Sequence, residues 1–314
     1  MTLSSIGAPK HFVQLYNSLS RKKEKLKRTR GRVLNLFVCG PTVYDFSHIG
    51  HGRTYLVFDS FVKYLRSKSI KIFYLQNITD IDDRIIKRAK ELKTSPRIIA
   101  ARYQKIHLKN MKDLGIDSVN KYAPATQFIS QIIAQIRKLI KKGYVYKIRD
   151  DGFYFDVTKF KDYGKLAHRT ALSAEDGVSR IDDSIKKRHK ADFCVWKFSK
   201  AGEPKWQTAL GAGRPGWHIE DTAISEFYFG PQYDLHGGGI DLKFPHHEAE
   251  IAQQESASGK KPFVKIWMHV GSLTIGGRKM SKSLKNFISI DDFLKTNSPE
   301  ILRWLVLNYH YRSP

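Results

Sequence analysis

The segment VLNLFVCGPTVYDFSHIGH, residues 33–51, decides the fold class of this chain. Its apolar run Val33–Cys39 ends at Gly40-Pro41, a pattern that predicts a buried strand followed by a loop. Apolar residues then recur every four positions from Val57 to Leu65, as in an amphipathic helix, and Ile72–Leu75 predicts a second buried strand. Strand, loop, helix and strand form a βαβ unit, which implies a parallel sheet covered by helices. We therefore expect an α/β, Rossmann-like fold.

The middle of the chain has a different pattern. Apolar residues at helical spacing from Ile129 to Ile140 predict a strongly amphipathic helix, with Thr126 as its N-cap. Two short aromatic strands then flank Asp151-Gly152, which we interpret as the turn of a hairpin. The polar, irregular stretch 158–190 follows. This part of the chain is typical of an insertion between two halves of a nucleotide-binding fold.

Strand and helix patterns resume in the last third of the chain. Tyr233–His236 and Ile266–Val270 predict two further buried strands. Ser298-Pro299 predicts the N-cap and first residue of a final helix. We therefore expect the second half of the sheet to lie here.

Composition describes a globular protein with an unusual charge. Hydrophobic residues make up 41% of the 314 residues, and 55 lysines and arginines against 30 acidic residues leave a net charge of +25. Such a surface favours a polyanionic partner, and the alternative is a role in solubility alone. With two cysteines and no apolar stretch long enough to span a membrane, we expect a cytosolic protein without disulfides or membrane contacts.

Two short motifs carry the candidate chemistry. Residues 48–51 read HIGH and lie between the first strand and the first helix, where Gly50 allows close backbone approach and a helix N-terminus presents N–H groups to phosphate. His48 and His51 would then reach the same phosphate chain. Residues 279–283 read KMSKS and follow a glycine pair, a combination that predicts a mobile lysine clamp for pyrophosphate. The alternative for this second motif is a solvated basic loop.

Together, and in this order, the two motifs resemble the HIGH and KMSKS motifs of class I aminoacyl-tRNA synthetases. The resemblance implies that an amino-acid carboxylate attacks the α-phosphate of ATP, accompanied by Mg²⁺, and that the acyl group then passes to the end of a tRNA. His48, His51, Lys279 and Lys282 are the catalytic residues that it implies.

Four further segments indicate which amino acid is activated. They read CGPTVYD at 39–45, NITDIDD at 77–83, GWHIE at 216–220, and HGGG at 236–239 followed by FPHHEAE at 244–250. All four look like the cysteinyl-tRNA synthetase family, and the resemblance continues to His310–Ser313. It implies that cysteine and ATP contact a set of five residues: Cys39, Thr42, Thr79, Trp217 and His236. The alternative for Thr79 and Trp217 is core packing.

The same resemblance implies one zinc ion that takes the substrate thiolate as a further ligand. The matching positions in this chain are Cys39, Asp221, His246 and Glu250. The family commonly has a second cysteine where this chain has Asp221, so a soft thiolate is replaced by a carboxylate. Without the resemblance, Cys39 would be a small core residue, and His246 and Glu250, at i and i+4, a local ion pair.

The resemblance also implies a division of the chain. Residues 1–115 would form the first half of the catalytic domain, 116–200 a connective insertion and 201–275 the second half. Residues 276–314 would hold the KMSKS loop and the first stem-contact helices, without the anticodon-binding region of the family. Oligomeric state is open, and we favour a monomer.

We expect cysteine, ATP and tRNA(Cys) as partners. A related ligase that joins cysteine to a small amino sugar, as in mycothiol synthesis, is one alternative, but a small neutral acceptor gives no reason for a charge of +25. A tRNA-binding protein without catalytic activity is another, and the two intact motifs argue against it.

Overall fold

The computed structural model describes residues 13–27, 31–169, 184–280 and 286–314. Its strands are β1 (Gln14–Asn17), β2 (Lys22–Lys25), β3 (Leu34–Val38), β4 (Ile72–Ile78), β5 (Lys121–Pro124), β6 (Val145–Ile148), β7 (Gly152–Phe155), β8 (Phe193–Phe198), β9 (Gly213–Pro215), β10 (Tyr233–Gly239), β11 (Val264–Val270), β12 (Thr274–Ile275) and β13 (Arg278–Lys279). Its α-helices are α1 (Ile49–Ser67), α2 (Asp83–Glu91), α3 (Pro96–Asp113), α4 (Ile129–Lys141), α5 (Trp217–Phe229), α6 (Glu248–Ser258), α7 (Ile290–Thr296) and α8 (Pro299–Leu307).

A five-stranded parallel sheet organises the molecule. Its strand order is β11-β10-β3-β4-β5, and each neighbouring pair is parallel. The chain leaves β3 through α1 toward β4, whereas β10 lies on the other side of β3. The order reverses between β3 and β10, which makes a crevice at their carboxyl ends the expected ligand site. The predicted α/β fold class is confirmed.

Side chains alternate between two cores on either side of this sheet. Leu34, Leu36 and Val38 of β3 pack in one core with α1, whereas Phe37 and Cys39 belong to the other core, with α4, α5 and α6. Helices therefore cover both faces, as the mostly apolar sequence of β3 predicts.

A four-stranded antiparallel sheet, in the order β6-β7-β8-β9, follows α4. Within the range 116–200, β5 pairs with β4 and belongs to the central sheet, and the small sheet continues to Pro215. The four-part division of the chain stays a prediction.

Thr126 does not cap α4, contrary to our expectation. A 3₁₀ turn, Ala125–Phe128, precedes the helix, which begins at Ile129. The backbone N–H and the hydroxyl of Thr126 instead donate hydrogen bonds to Asp80, at 2.9 and 2.6 Å. The threonine therefore anchors the loop that follows β4.

The hairpin turn also differs from the predicted one. Asp150, with φ of 62°, takes the left-handed position, and Gly152 is the first residue of β7. A Cβ atom on Gly152 would lie 2.3 Å from the carbonyl oxygen of Trp196 on β8. The glycine is thus required by close strand approach and not by the turn.

The final helix α8 begins at Ser298 and Pro299, as predicted, and is tied to α1 by a buried charge. The Asp59 carboxylate on α1 is fully buried, and Nη1 of Arg303 on α8 donates to it at 2.9 Å. Arg303 also donates to the carbonyl oxygens of Leu114 and Gly115 at 3.2 and 3.0 Å. One guanidinium therefore joins α8, α1 and the end of α3.

None of the helices in the described part of the chain is long and apolar enough to cross a membrane.

Arg303→Ala is expected to lower the free energy of unfolding by about 2–3 kcal/mol, because among the described residues the buried Asp59 carboxylate then keeps only Lys63 as a charged partner. Urea denaturation at neutral pH measures the change. Lys109→Ala, which removes an exposed ion pair with Asp113 on α3, is the control and should leave stability nearly unchanged. Equal effects of the two substitutions would contradict the role of Arg303.

Candidate active site and metal centre

A cavity of about 260 Å³ opens at the carboxyl ends of the central strands. Cys39 to Thr42, which follow β3, form one wall, and Gly239 and Asp241, at the end of β10, form another. His48 and His51 at the start of α1 and Trp217 at the start of α5 also line it. The cavity therefore lies at the reversal of strand order, where such sheets bind ligands.

His48 and His51 hold each other in place at the N-terminus of α1. Nδ1 of His48 accepts a hydrogen bond from the backbone N–H of His51 at 3.2 Å, and Nδ1 of His51 accepts one from that of His48 at 3.3 Å. The rings stack with centroids 3.8 Å apart. Because Nδ1 of each neutral ring is an acceptor, its proton lies on Nε2. Each ring is thus a hydrogen-bond donor through Nε2.

Gly50 makes this capping arrangement possible. A Cβ atom at that position would lie 2.8 Å from Nδ1 of His48. The glycine of the motif therefore leaves room for the histidine ring that caps the helix.

The chain on both sides of residues 281–285 lies beside these histidines. Met280 lines the cavity, and the ring of Phe287 meets that of His48 edge to face at 5.4 Å. The backbone N–H of Ile49 donates to Ile288, and that of Ile290 to Ser47. The described residues on either side of 281–285 are therefore neighbours of the HIGH motif in space.

The predicted clamp lysines are described only in part. Lys282 lies outside the described residues, and Lys279 belongs to β13, where only the backbone is described. Gly276 and Gly277, with φ of 57° and 73°, form the two-residue turn between β12 and β13. The predicted glycine hinge is thus a hairpin turn.

Four side chains from three separate segments converge beside the cavity. His246 Nε2 lies 3.5 Å from Cys39 Sγ, 3.2 Å from Asp221 Oδ2 and 3.2 Å from Glu250 Oε1. All four residues are buried. Asp221 and Glu250 come from α5 and α6, whereas His246 precedes α6 in the turn Lys243–His247. Asp221, His246 and Glu250 form one group of potential metal ligands, and Cys39 forms another with His246 and His247.

The second ring nitrogen of His246, Nδ1, also has a close polar neighbour. Its Nδ1 lies 2.7 Å from Nδ1 of His218, and its ring stacks on Trp217 with centroids 4.1 Å apart. When Nδ1 of His246 carries the proton and donates to His218, the lone pair of Nε2 faces the thiol and the two carboxylates. This is the tautomer that a metal ligand requires.

Burial makes this cluster unfavourable for negative charge. Burial, together with the Asp221 and Glu250 carboxylates, raises the pKa of the Cys39 thiol well above its ordinary value. Burial and the Asp221 carboxylate raise the pKa of Glu250 as well. Within the described residues, neither Glu250 oxygen has a hydrogen-bond donor. A bound cation would satisfy these oxygens and reverse both pKa shifts, so the donor set fits a metal ion.

Comparison with known proteins identifies the family of this chain. The family described as tRNA synthetases class I (C) catalytic domain matches residues 25–314. The chain belongs to this family. It is 53% identical over 300 residues to the cysteine--tRNA ligase of Thermoplasma volcanium, with 95% of this chain and 65% of that protein covered. The corresponding ligase of Methanococcus maripaludis is 49% identical, with 96% and 63% covered.

The chain spans just under two thirds of the length of these curated relatives. A solved structure of Mycobacterium tuberculosis methionyl-tRNA synthetase in complex with methionyl-adenylate has the same fold, with a TM-score of 0.67 at 14% identity. That comparison covers 88% of this chain and 64% of the other. The class I synthetase fold is thus shared, although the sequences have diverged.

The remaining residues predicted to bind substrate do not all line the cavity. Thr42 lines the cavity and accepts a hydrogen bond from Arg84 at 2.8 Å. Thr79 is buried and donates to Glu220 at 3.0 Å, and His236 is buried behind Glu250, with Nδ1 3.6 Å from its Oε2. Neither is among the described residues that line the cavity. Their roles stay predictions.

Sequence reasoning missed several residues of the site. Asn77 contacts Asp221, and His247 lies close enough to Cys39 and His246 to form a second candidate ligand group. Arg84, which lines the cavity, lies over the rings of Tyr44 and Trp217 at 5.4 Å from each. The sequence marks the polar segments that contain Asn77 and His247, but only packing shows that these two residues reach the site.

Binding of a divalent ion is expected to release protons. The raised pKa of Cys39 keeps its thiol protonated at pH 7, and an ion that binds the thiolate displaces that proton. Apparent affinity should therefore rise with pH, by about tenfold per pH unit for each proton released. Calorimetric titration with Zn²⁺ in buffers of different ionisation enthalpy counts the protons. Binding without proton release would mean that Cys39 is not a ligand.

Proposed function

We propose that this protein activates cysteine with ATP to cysteinyl-adenylate and transfers the cysteinyl group to tRNA(Cys). One observation carries the proposal: Cys39, a member of the thiol, imidazole and carboxylate cluster, lines the same cavity as the paired histidines at the N-terminus of α1. A thiol-selective group and a phosphate-binding turn thus share one pocket. The names of the similar proteins, cysteine--tRNA ligases, support the same substrate.

The two histidines suit the adenylation step. In that step the cysteine carboxylate attacks the α-phosphorus, the bond to the β-phosphate oxygen breaks, and pyrophosphate leaves with the bonding electrons. His48 and His51 would donate from Nε2 to phosphate oxygens on which negative charge grows. Lys279 and Lys282 would neutralise the leaving pyrophosphate, and Mg²⁺ bound with ATP would share that charge.

The convergent cluster suits zinc. Two nitrogen or oxygen ligands on one tetrahedral zinc ion are about 3.3 Å apart, and a nitrogen and a sulfur about 3.5 Å. The distances from His246 Nε2 to Asp221 and Glu250 are 3.2 Å, and that to Cys39 Sγ is 3.5 Å. Zinc supplies, when bound, a strong bond to the substrate thiolate and a weak one to the hydroxyl of serine.

Asp221 keeps the formal charge of the ligand set. One thiolate with two carboxylates carries the same three negative charges as two thiolates with one carboxylate. The oxygen donor is harder than sulfur, so we propose that zinc binds here with lower affinity than at a two-thiolate site.

The charge of +25 supports tRNA as the acyl acceptor, because tRNA offers many phosphates to a basic surface. The amino-sugar ligase and the non-catalytic tRNA-binding protein are the alternatives. Transfer of labelled cysteine to tRNA, compared with transfer to an amino-sugar acceptor, separates the first from our proposal. Absence of cysteine-dependent ATP–pyrophosphate exchange would favour the second.

Lys282→Ala is expected to lower the rate of cysteine-dependent ATP–pyrophosphate exchange by about 10²–10³-fold, as for loss of a charge contact that strengthens in the transition state. The fold, followed by circular dichroism, should not change. Lys295→Ala on α7 removes an exposed lysine outside the cavity and is the matched control, with an unchanged rate. An unchanged rate in Lys282→Ala would rule out the clamp.

Removal of zinc is expected to reduce the preference for cysteine over serine. The ratio of exchange rates with the two amino acids is measured in zinc-loaded protein, after chelation, and after zinc is restored. Restored discrimination excludes damage by the chelator. Strong discrimination in metal-free protein would instead mean that pocket shape around Trp217 selects the thiol.

A further inference from the structure

The amide of Asn77 connects two parts of the metal centre. Asn77 is fully buried near the end of β4, beside β3 in the central sheet. Its Oδ1 accepts a hydrogen bond from the backbone N–H of Gly40 at 2.6 Å. Its Nδ2 donates to Oδ1 of Asp221, also at 2.6 Å. A longer contact, at 3.4 Å, joins Nδ2 to the hydroxyl of Thr79.

We infer that Asn77 is a positioning residue that holds Asp221 as a one-oxygen metal ligand, an inference that rests on the proposed metal site. The Gly40 N–H can only donate, so it fixes the amide with Oδ1 toward Gly40 and both Nδ2 protons on the other side. Asp221 Oδ1 therefore receives a hydrogen bond, while Oδ2 lies 3.2 Å from His246 Nε2. The two oxygens of one carboxylate have different partners.

This division matters because the ligand at position 221 is a carboxylate. A thiolate offers one donor atom, whereas a carboxylate can bind through one oxygen or through both. Binding through both oxygens of Asp221 would raise the coordination number and oppose a tetrahedral site. A hydrogen bond that occupies Oδ1 favours binding through Oδ2 alone, as outer contacts commonly orient metal ligands.

The Asn77 amide also fixes the backbone beside the other ligand, Cys39. Gly40 directly follows Cys39, so its hydrogen bond to Asn77 fixes the backbone next to the thiol. A Cβ atom on Gly40 would lie 1.8 Å from the carbonyl oxygen of Asn77, so only glycine allows this approach. Asn77 thus sets the separation between Cys39 on one wall and Asp221 on α5.

Asn77→Ala is expected to lower Zn²⁺ affinity by about 10–100-fold, measured by competition with a chromophoric chelator. In the Co²⁺-loaded protein, the visible absorption should weaken, because five- and six-coordinate cobalt absorbs less than tetrahedral cobalt. Asn110→Ala, which removes another fully buried asparagine whose amide donates to Asp291 at 2.9 Å, is the control and should change neither measurement.

A double-mutant cycle with Asp221→Cys tests the mechanism. A thiolate at position 221 has no second oxygen to hold, so Asn77→Ala should have a much smaller effect on affinity in that background. Equal effects in both backgrounds, or an unchanged cobalt spectrum in Asn77→Ala, would overturn the inference. If Asn77→Ala does not fold, Asn77→Ser keeps a hydroxyl near Gly40 and is expected to show the same spectral change.

Different results would disprove the metal site and the role of Asn77. Wild-type protein that binds neither Zn²⁺ nor Co²⁺ overturns the metal site and this inference together. Wild-type protein with the tetrahedral cobalt spectrum, but with no difference from Asn77→Ala, overturns the role of Asn77 alone.

Discussion

The parallel pairing of β3 with β10 is the contact on which the cavity depends. It places the backbone N–H of Cys39 2.9 Å from the carbonyl oxygen of Gly237, so the thiol and the glycine-rich end of β10 share one edge of the sheet. A Cβ atom on Gly237 would lie 2.1 Å from the ring of Phe58, so a larger residue would push α1 away from the sheet. The helix that carries the two histidines then has its N-terminus at the cavity.

The second constraint is electrostatic. The candidate metal centre places a thiol and two carboxyl groups at full burial, where charge is costly without a counterion. Around the cluster, burial lowers the pKa of His236 and His247, so these rings are neutral and do not supply the missing positive charge. A divalent ion is therefore the simplest source of charge balance that the donor set admits.

Several site residues could be predicted because their chemistry follows from local sequence. The spacing of His48 and His51 places both rings in the first turn of a helix, and Gly50 between them leaves space for the capping ring. His246 and Glu250 are four residues apart and so lie on one side of a helical turn. Thr126 failed as a cap because Asp80, distant in sequence, is a better partner for its hydroxyl. Local capping rules do not include such contacts.

The sequence by itself determined the parallel sheet, the position of the ligand site after β3 and the set of chemically capable side chains, because these depend on periodicity and residue type. Only the tertiary structure decided that Cys39, Asp221 and Glu250 surround one nitrogen of His246, because they come from separate segments. It also decided that Asn77, and not another polar residue of its segment, contacts Asp221. Strand pairing and the packing of α5 on the sheet set those distances, and neither has a local signal in the sequence.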